Sequence, residues 1–191
     1  MQSRTWRTPL IILICGTAIL MLSFGLRQNL GLFMKPISTD LGWGRETLSF
    51  AIALQSLVWG LSSPMFGMIA DRYGPAKILA LGGVLYMGGL FMLSQTTTPI
   101  DATIGIGFVT GIALSMTGFP IVLSVIGRAT PPNKRNFYMG IASAGGSSGQ
   151  LLLVPLGWWF IDGYGWIGAI IILSAIAAVI VPLSAALAGG N

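Results

Sequence analysis

The chain alternates long apolar runs with short polar interruptions. A bilayer span needs about 20 consecutive, mostly apolar residues. Six stretches meet that length: residues 10–34, 48–70, 76–97, 102–127, 137–161 and 166–187. Arg4 and Arg7 ahead of the first run give it the outline of a secretory leader. The run is too long for one and lacks a clean small-x-small cleavage site, so it counts as the first helix. The pattern predicts an all-α membrane protein, with residues 1–191 forming a single six-helix bundle.

Small residues mark faces on these helices. Ser49, Ala53, Ser56, Gly60, Ser63 and Gly67 recur at spacings of four and three in the second run. The fourth run repeats the device with Gly107, Gly111, Ser115 and Gly118, and the fifth holds Ala142-Ser143-Ala144-Gly145-Gly146-Ser147-Ser148-Gly149-Gln150. Such stripes let helix backbones approach where lipid gives no hydrophobic drive to association. The glycine-rich run is a poor helix former in water and is expected to be held by close packing. Pro155 is expected to kink the helix just beyond.

The polar breaks set the orientation. Numbering the two sides alternately, the side of the N-terminus carries Arg4, Arg7, Arg72, Lys77, Arg128, Lys134 and Arg135, and the other side carries only Lys35 and Arg45. That bias makes the first side cytoplasmic, and both termini with it. The first external loop is read as residues 36–45, with Trp43 an interfacial anchor, and Trp158, Trp159 and Trp166 bracket the same end of the bundle. The loop from Arg128 to Arg135 is the most basic stretch, and is read as topogenic or as a contact for lipid headgroups.

Composition narrows the chemistry. Apolar residues make up 54% of the chain and charged residues 8%, against about a quarter charged in a soluble domain. The net charge of +5 is scattered over short loops, which is no nucleic-acid footprint. Cys15 stands alone in an apolar run and reads as a packed thiol. With no His and no embedded carboxylate pair, nothing points to an enzyme, a metal or a cofactor.

The tightest polar motif is Gly67-Met68-Ile69-Ala70-Asp71-Arg72-Tyr73-Gly74-Pro75-Ala76-Lys77. Gly74 suits a position of positive φ, and Pro75 a first helical turn. The motif resembles the loop signature of the major facilitator superfamily, Gly-x-x-x-Asp-Arg-x-Gly followed by basic residues. It departs from that signature in placing Pro75 and Ala76 before Lys77. The resemblance implies a cytoplasmic loop between helices two and three, in which Gly67, Asp71, Arg72, Gly74 and Lys77 bias the conformational change. The bland alternative is a tight turn. Asp71-Arg72-Tyr73-Gly74 is echoed 91 residues later by Asp162-Gly163-Tyr164-Gly165, and Pro64 by Pro155 at the same offset. The echo predicts two inverted three-helix repeats, a nesting known from one half of such transporters.

A narrower resemblance rests on Arg27-x-x-x-Gly31-x-Phe33-x-x-Pro36-Ile37, Asp40-Leu41-Gly42-Trp43, Pro131-Pro132-x-Lys134-Arg135 and Ala144-Gly145-Gly146-Ser147-x-Gly149-Gln150. These segments are similar to bacterial monocarboxylate and oxalate/formate-type members. The resemblance implies transport of small organic anions across a bacterial inner membrane, by alternating access between two six-helix halves. This chain matches the N-terminal half, to be completed by a C-terminal half or a second copy. The superfamily's frequent helix-four Arg has no counterpart between Ala102 and Gly127. The alternatives are a truncated, non-transporting membrane protein and a member of the superfamily for another substrate class.

Sorted by depth, Asp40, Glu46, Asp71, Asp101 and Asp162 fall in or beside loops, and Arg27 is the only charge well inside a span. It lies about 25 Å above Leu10 at 1.5 Å per residue, toward the outer side. It shares a small, polar face with Gly16, Ser23 and Gly31. A charge in that place marks function by default, and its planar fork suits a carboxylate. Snorkelling to the interface is the alternative. Gln55, one turn before Trp59, is read as cavity-lining or as an interhelical hydrogen bond. Ser147 and Gln150 are read as substrate contacts or packing.

Overall fold

The computed structural model describes residues 8–188, which puts Arg4 and Arg7 of the orientation argument outside the described residues. Among those described, every regular element is helical. Five helical stretches are long and apolar enough to cross a membrane: Pro9–Leu41, Arg45–Tyr73, Pro75–Ser94, Pro99–Ala129 and Pro132–Ala186.

Local chemistry sets the ends. Helix α1 (Pro9–Leu41) starts at Thr8, whose hydroxyl accepts from the Ile11 amide, with Pro9 in the first turn. It stops at Gly42 in the left-handed region, φ 66°. The expected loop 36–45 is mostly helix. Pro36 sits inside α1, and only residues 42–44 separate it from α2 (Arg45–Tyr73). Pro36 removes one backbone bond, yet Phe33 and Ile37 on either side of it are wholly packed in the core and hold the helix through that point. α2 ends at Gly74, with φ 97° as the motif required, and Pro75 opens α3 (Pro75–Ser94).

The fourth stretch is discontinuous. A capping box between Thr98 and Asp101 starts α4 (Pro99–Ala102). A π-helical segment, Thr103–Val109, follows, and then α5 (Thr110–Thr117). Gly118 is extended, and α6 (Phe119–Ala129) resumes with Pro120 in its first turn. After a 3-10 turn, Pro132–Lys134, α7 runs from Arg135 to Ala178 and α8 from Ile180 to Ala186. Within α7 the backbone leaves the helix at Gly165, φ 67° and ψ 175°. The two glycines of the sequence echo, Gly74 and Gly165, thus share a positive φ and an extended ψ.

α1 is the central helix. Two apolar clusters stack along it, one around Leu30, Phe33, Ile37, Leu48 and Tyr86, the other around Leu13, Leu20, Leu79, Val122 and Ile180. Its tightest neighbour is α7, and glycine makes that approach possible. A Cβ on Gly149 would overlap the Met21 carbonyl, and one on Gly25 would lie 2.6 Å from the Gly149 carbonyl oxygen. Asn29 fastens the seam, donating to Gly25 O at 2.9 Å and to Leu153 O at 3.0 Å.

α2 lies at the rim. Only Leu48, Ala51, Gln55 and Ala70 of its 29 residues are buried. The stripe expected to draw it into the bundle points elsewhere. Ser49, Ala53 and Gly60 are exposed, and Gly60 and Gly67 have no neighbour within 4 Å of a built Cβ. The side of α2 that is packed is gripped by the stripe of the fourth stretch: Gly107 meets Leu54 and Gly111 meets Val58.

Candidate functional site

Arg27 stands two residues past Gly25, the middle residue of the 33 in α1. The longer helix therefore places it nearer mid-height than the shorter span implied. It is half-buried and reaches α2: Nη2 donates to Ser56 Oγ at 3.0 Å, and Cζ lies 5.3 Å from the centre of the Trp59 ring. A guanidinium stacked on an indole gains cation–π attraction while keeping its in-plane donors free. Trp59 is fixed from below by Phe24 in an edge-on contact at 5.7 Å, and Phe24 packs on Phe119 at 4.4 Å. Phe119 is the first residue of α6, just past the break at Gly118.

Beside this pair, Gln55 is fully buried, and its amide donates to Thr110 Oγ1 at 2.7 Å. Thr110 in turn donates to the Ile106 carbonyl, in the middle of the π-helical segment. Two turns further along α2, Ser62 pairs with Ser115, which is bonded to Gly111 O at 3.0 Å. Tyr86 of α3 is wholly buried and donates to Ser23 O at 3.0 Å.

Several polar atoms in this group are buried without a hydrogen-bond partner: Arg27 Nε, Trp59 Nε1, Gln55 Oε1 and Ser23 Oγ. An unmet buried donor or acceptor costs about 1–3 kcal/mol. Arg27 has no carboxylate within ion-pair distance, since among the described residues the one salt bridge joins Asp71 and Arg128. Arg27 Nε and Trp59 Nε1 are donors short of an acceptor, whereas Gln55 Oε1 is an acceptor short of a donor.

The sequence-predicted residues divide accordingly. Arg27 and Gln55 fall in one polar cluster with Ser56, Trp59 and Thr110, residues that sequence reasoning did not assign to Arg27. The i, i+4 spacing of Gln55 and Trp59 was the available signal. Ser147 is exposed and Gln150 half-buried on α7, and among the described residues neither side chain makes a hydrogen bond. In the loop, Asp71 accepts from Arg128 Nη1 at 2.9 Å, both side chains being largely exposed. Arg128 is thus held by Asp71 across 57 residues, a partnership that the reading of its loop as topogenic missed. Arg72 lies over Tyr73 at 5.5 Å, Lys77 is exposed, and Gly67 is open.

A bundle with a discontinuous fourth helical stretch and a half-buried cation without a carboxylate partner among the described residues can now be set beside known proteins. Residues 13–189 match the family model of the Major Facilitator Superfamily. The chain belongs to this superfamily. Monocarboxylate transporter 11 of Mus musculus is 26% identical over 166 residues, covering 87% of this chain and 37% of that protein. The Homo sapiens protein of the same name is 26% identical over 177 residues, covering 93% and 37%. Monocarboxylate transporter 2 of Rattus norvegicus is 24% identical, covering 86% and 34%. The chain therefore spans little more than a third of these relatives. A crystal structure of a bacterial homolog to the human lysosomal transporter Spinster, inward-facing and unoccupied, shares the fold at a TM-score of 0.77 and 17% identity, covering 99% of this chain and 44% of that one. As a superfamily member with five long apolar helical stretches, the chain is an integral, multi-pass membrane protein.

Proposed function

We propose that this chain is the N-terminal half of an alternating-access transporter for small organic anions, with Arg27 holding the anion. The observation that carries the reading is the guanidinium stacked on Trp59, bonded to Ser56, and left with a buried Nε and no carboxylate partner. A carboxylate seated there takes donors from the guanidinium edge and from the indole N–H, and charge-assisted bonds of this kind are the strong ones. Gln55, fully buried one turn before Trp59, supports the same cluster from inside the bundle. Ser147 and Gln150, on the open side of α7, are assigned to the path facing the completing half or a second copy. The names of the curated relatives, monocarboxylate transporters, agree with a carboxylate substrate.

The finer architecture belongs to the same proposal. The positive-φ glycines at 74 and 165, with Pro64 and Pro155 inside their helices, support six crossings in two inverted repeats, α7 crossing twice with its turn at Gly165. The basic loops support cytoplasmic termini, and the placement in a bacterial inner membrane rests on the sequence resemblance alone. In sealed cells, cysteines placed at Thr98 and Gly163 react with an impermeant thiol reagent and one at Asn133 does not. Labelling at Asn133 reverses the orientation.

The functional test is thermal stabilisation of the complete transporter by acetate and lactate, against equal chloride. Arg27→Gln weakens the carboxylate response roughly ten- to hundredfold, the worth of charged hydrogen bonds. Arg27→Lys keeps the charge without the fork and weakens it less. An unchanged response in a folded Arg27→Gln protein makes Arg27 an anchor and ends the anion-site reading.

A further inference from the structure

A second cationic site lies at the basic end of the bundle, where α6 meets α7. A cavity of about 440 Å³ opens there, with Arg128, Arg135 and Ser124 on its polar side and Pro120, Leu123 and Met139 on its apolar side. Both guanidiniums are held in place, one by the backbone of the cavity wall and one by a carboxylate that does not line it. Arg135 Nε donates to Gly127 O at 2.7 Å, and Arg128 Nη1 to Asp71 at 2.9 Å. Each keeps donors free beyond those bonds.

Lys134 adds a third positive charge beside Arg135, and among the described residues Asp71 is the only carboxylate paired with any of them. Like charges gathered at one helix junction repel, and an anion between them relieves the repulsion. The two planar forks suit a phosphate. Among the described residues no acidic side chain lines the cavity to receive an ammonium group, which disfavours a zwitterionic headgroup. The apolar side, on a helix of membrane-spanning length, suits an acyl chain rather than a free ion.

We infer that this cavity binds an anionic phospholipid, its phosphate between Arg128 and Arg135 and a chain along Pro120, Leu123 and Met139. Basic pockets between helices at a membrane surface select such lipids. The site is independent of Arg27 and of the transported solute. It also touches the loop motif, because a phosphate that recruits Arg128 competes directly with Asp71 for the same guanidinium.

The test is lipid binding to the purified protein by native mass spectrometry, with phosphatidylglycerol against phosphatidylcholine. Preference for the anionic lipid is expected to be roughly fivefold for each arginine engaged. Arg135→Gln removes most of it, Arg135→Lys retains part, and Lys77→Gln, a basic loop residue away from the cavity, leaves it intact. Ser124→Asp puts a negative charge into the cavity while leaving the bond from Arg135 to Gly127 in place, and also abolishes the preference. Three results overturn the site: a preference unchanged in both Arg135→Gln and Ser124→Asp, an equal loss in Lys77→Gln, or equal binding of inorganic phosphate, which makes the acyl wall irrelevant.

Discussion

The glycine-rich run of α7 and the small-residue stripe of α2 read alike as sequence and behave oppositely in the fold. Along α7, Gly145, Gly149 and Gly157 press on Thr17, Met21 and Asn29 of α1, close enough that any Cβ collides. Along α2, Gly60 and Gly67 meet nothing, and the side of the helix that is packed displays Leu54 and Val58 to glycines of the fourth stretch. The difference shows that a small stripe reports a close approach without saying by which partner. α7 spends its stripe inside the chain. α2 keeps most of its own outward, with Ser56 the member that turns to α1 and bonds Arg27.

Substitution sharpens that contrast, and the largest effect belongs to the α1–α7 seam. Gly149→Val drives two methyl groups into the Met21 backbone and costs about 3 kcal/mol or more, at the upper end of overpacking penalties. Loss of folded protein in detergent, read by thermal unfolding, checks it. Full stability in Gly149→Val would place the α1 contact elsewhere. Next comes Asn29→Ala, which removes one interhelical bond, to Leu153 O, and one within α1, to Gly25 O, and is expected to cost about 1 kcal/mol, modest because the membrane-embedded unfolded chain also finds partners.

Smaller effects belong to the open side. Asp71→Asn breaks an exposed pair with Arg128 and changes stability by less than about 1 kcal/mol. If the loop biases the conformational change, transport by the complete protein slows nonetheless. A wild-type rate reduces the motif to a turn. The smallest effect is Gly60→Val, within about 0.5 kcal/mol for this chain, as for surface changes that touch nothing. A substantial loss of stability would mean that α2 is covered within the chain after all.

Much of the fold was legible locally. Apolar run lengths pointed to an all-helical chain of long apolar stretches, Gly74 and Pro75 announced the turn between α2 and α3, and the Asp71–Gly74 echo picked out Gly165, where the backbone leaves the helix within α7. These are properties of single residues and their neighbours: burial of a long apolar run in lipid, a φ that only glycine adopts freely, a proline that begins a helix. Pro36 misled because its local helix-breaking tendency was overruled by Phe33 and Ile37 in the core.

The candidate site was legible in part and for a similar reason. An arginine in the middle of an apolar helix is visible in the sequence, because its cost in hydrocarbon does not depend on its neighbours. Its partners are not. Ser56 lies 29 residues away on another helix, and Arg128 lies 57 residues from Asp71. In a soluble helix the apolar stripe would have told which face turns inward. In a membrane helix lipid is as apolar as the core, so hydrophobicity no longer distinguishes the two sides. Which face of α2 meets its neighbours, which glycines touch backbone, and which polar side chains gather around Arg27 were therefore decided by helix packing alone.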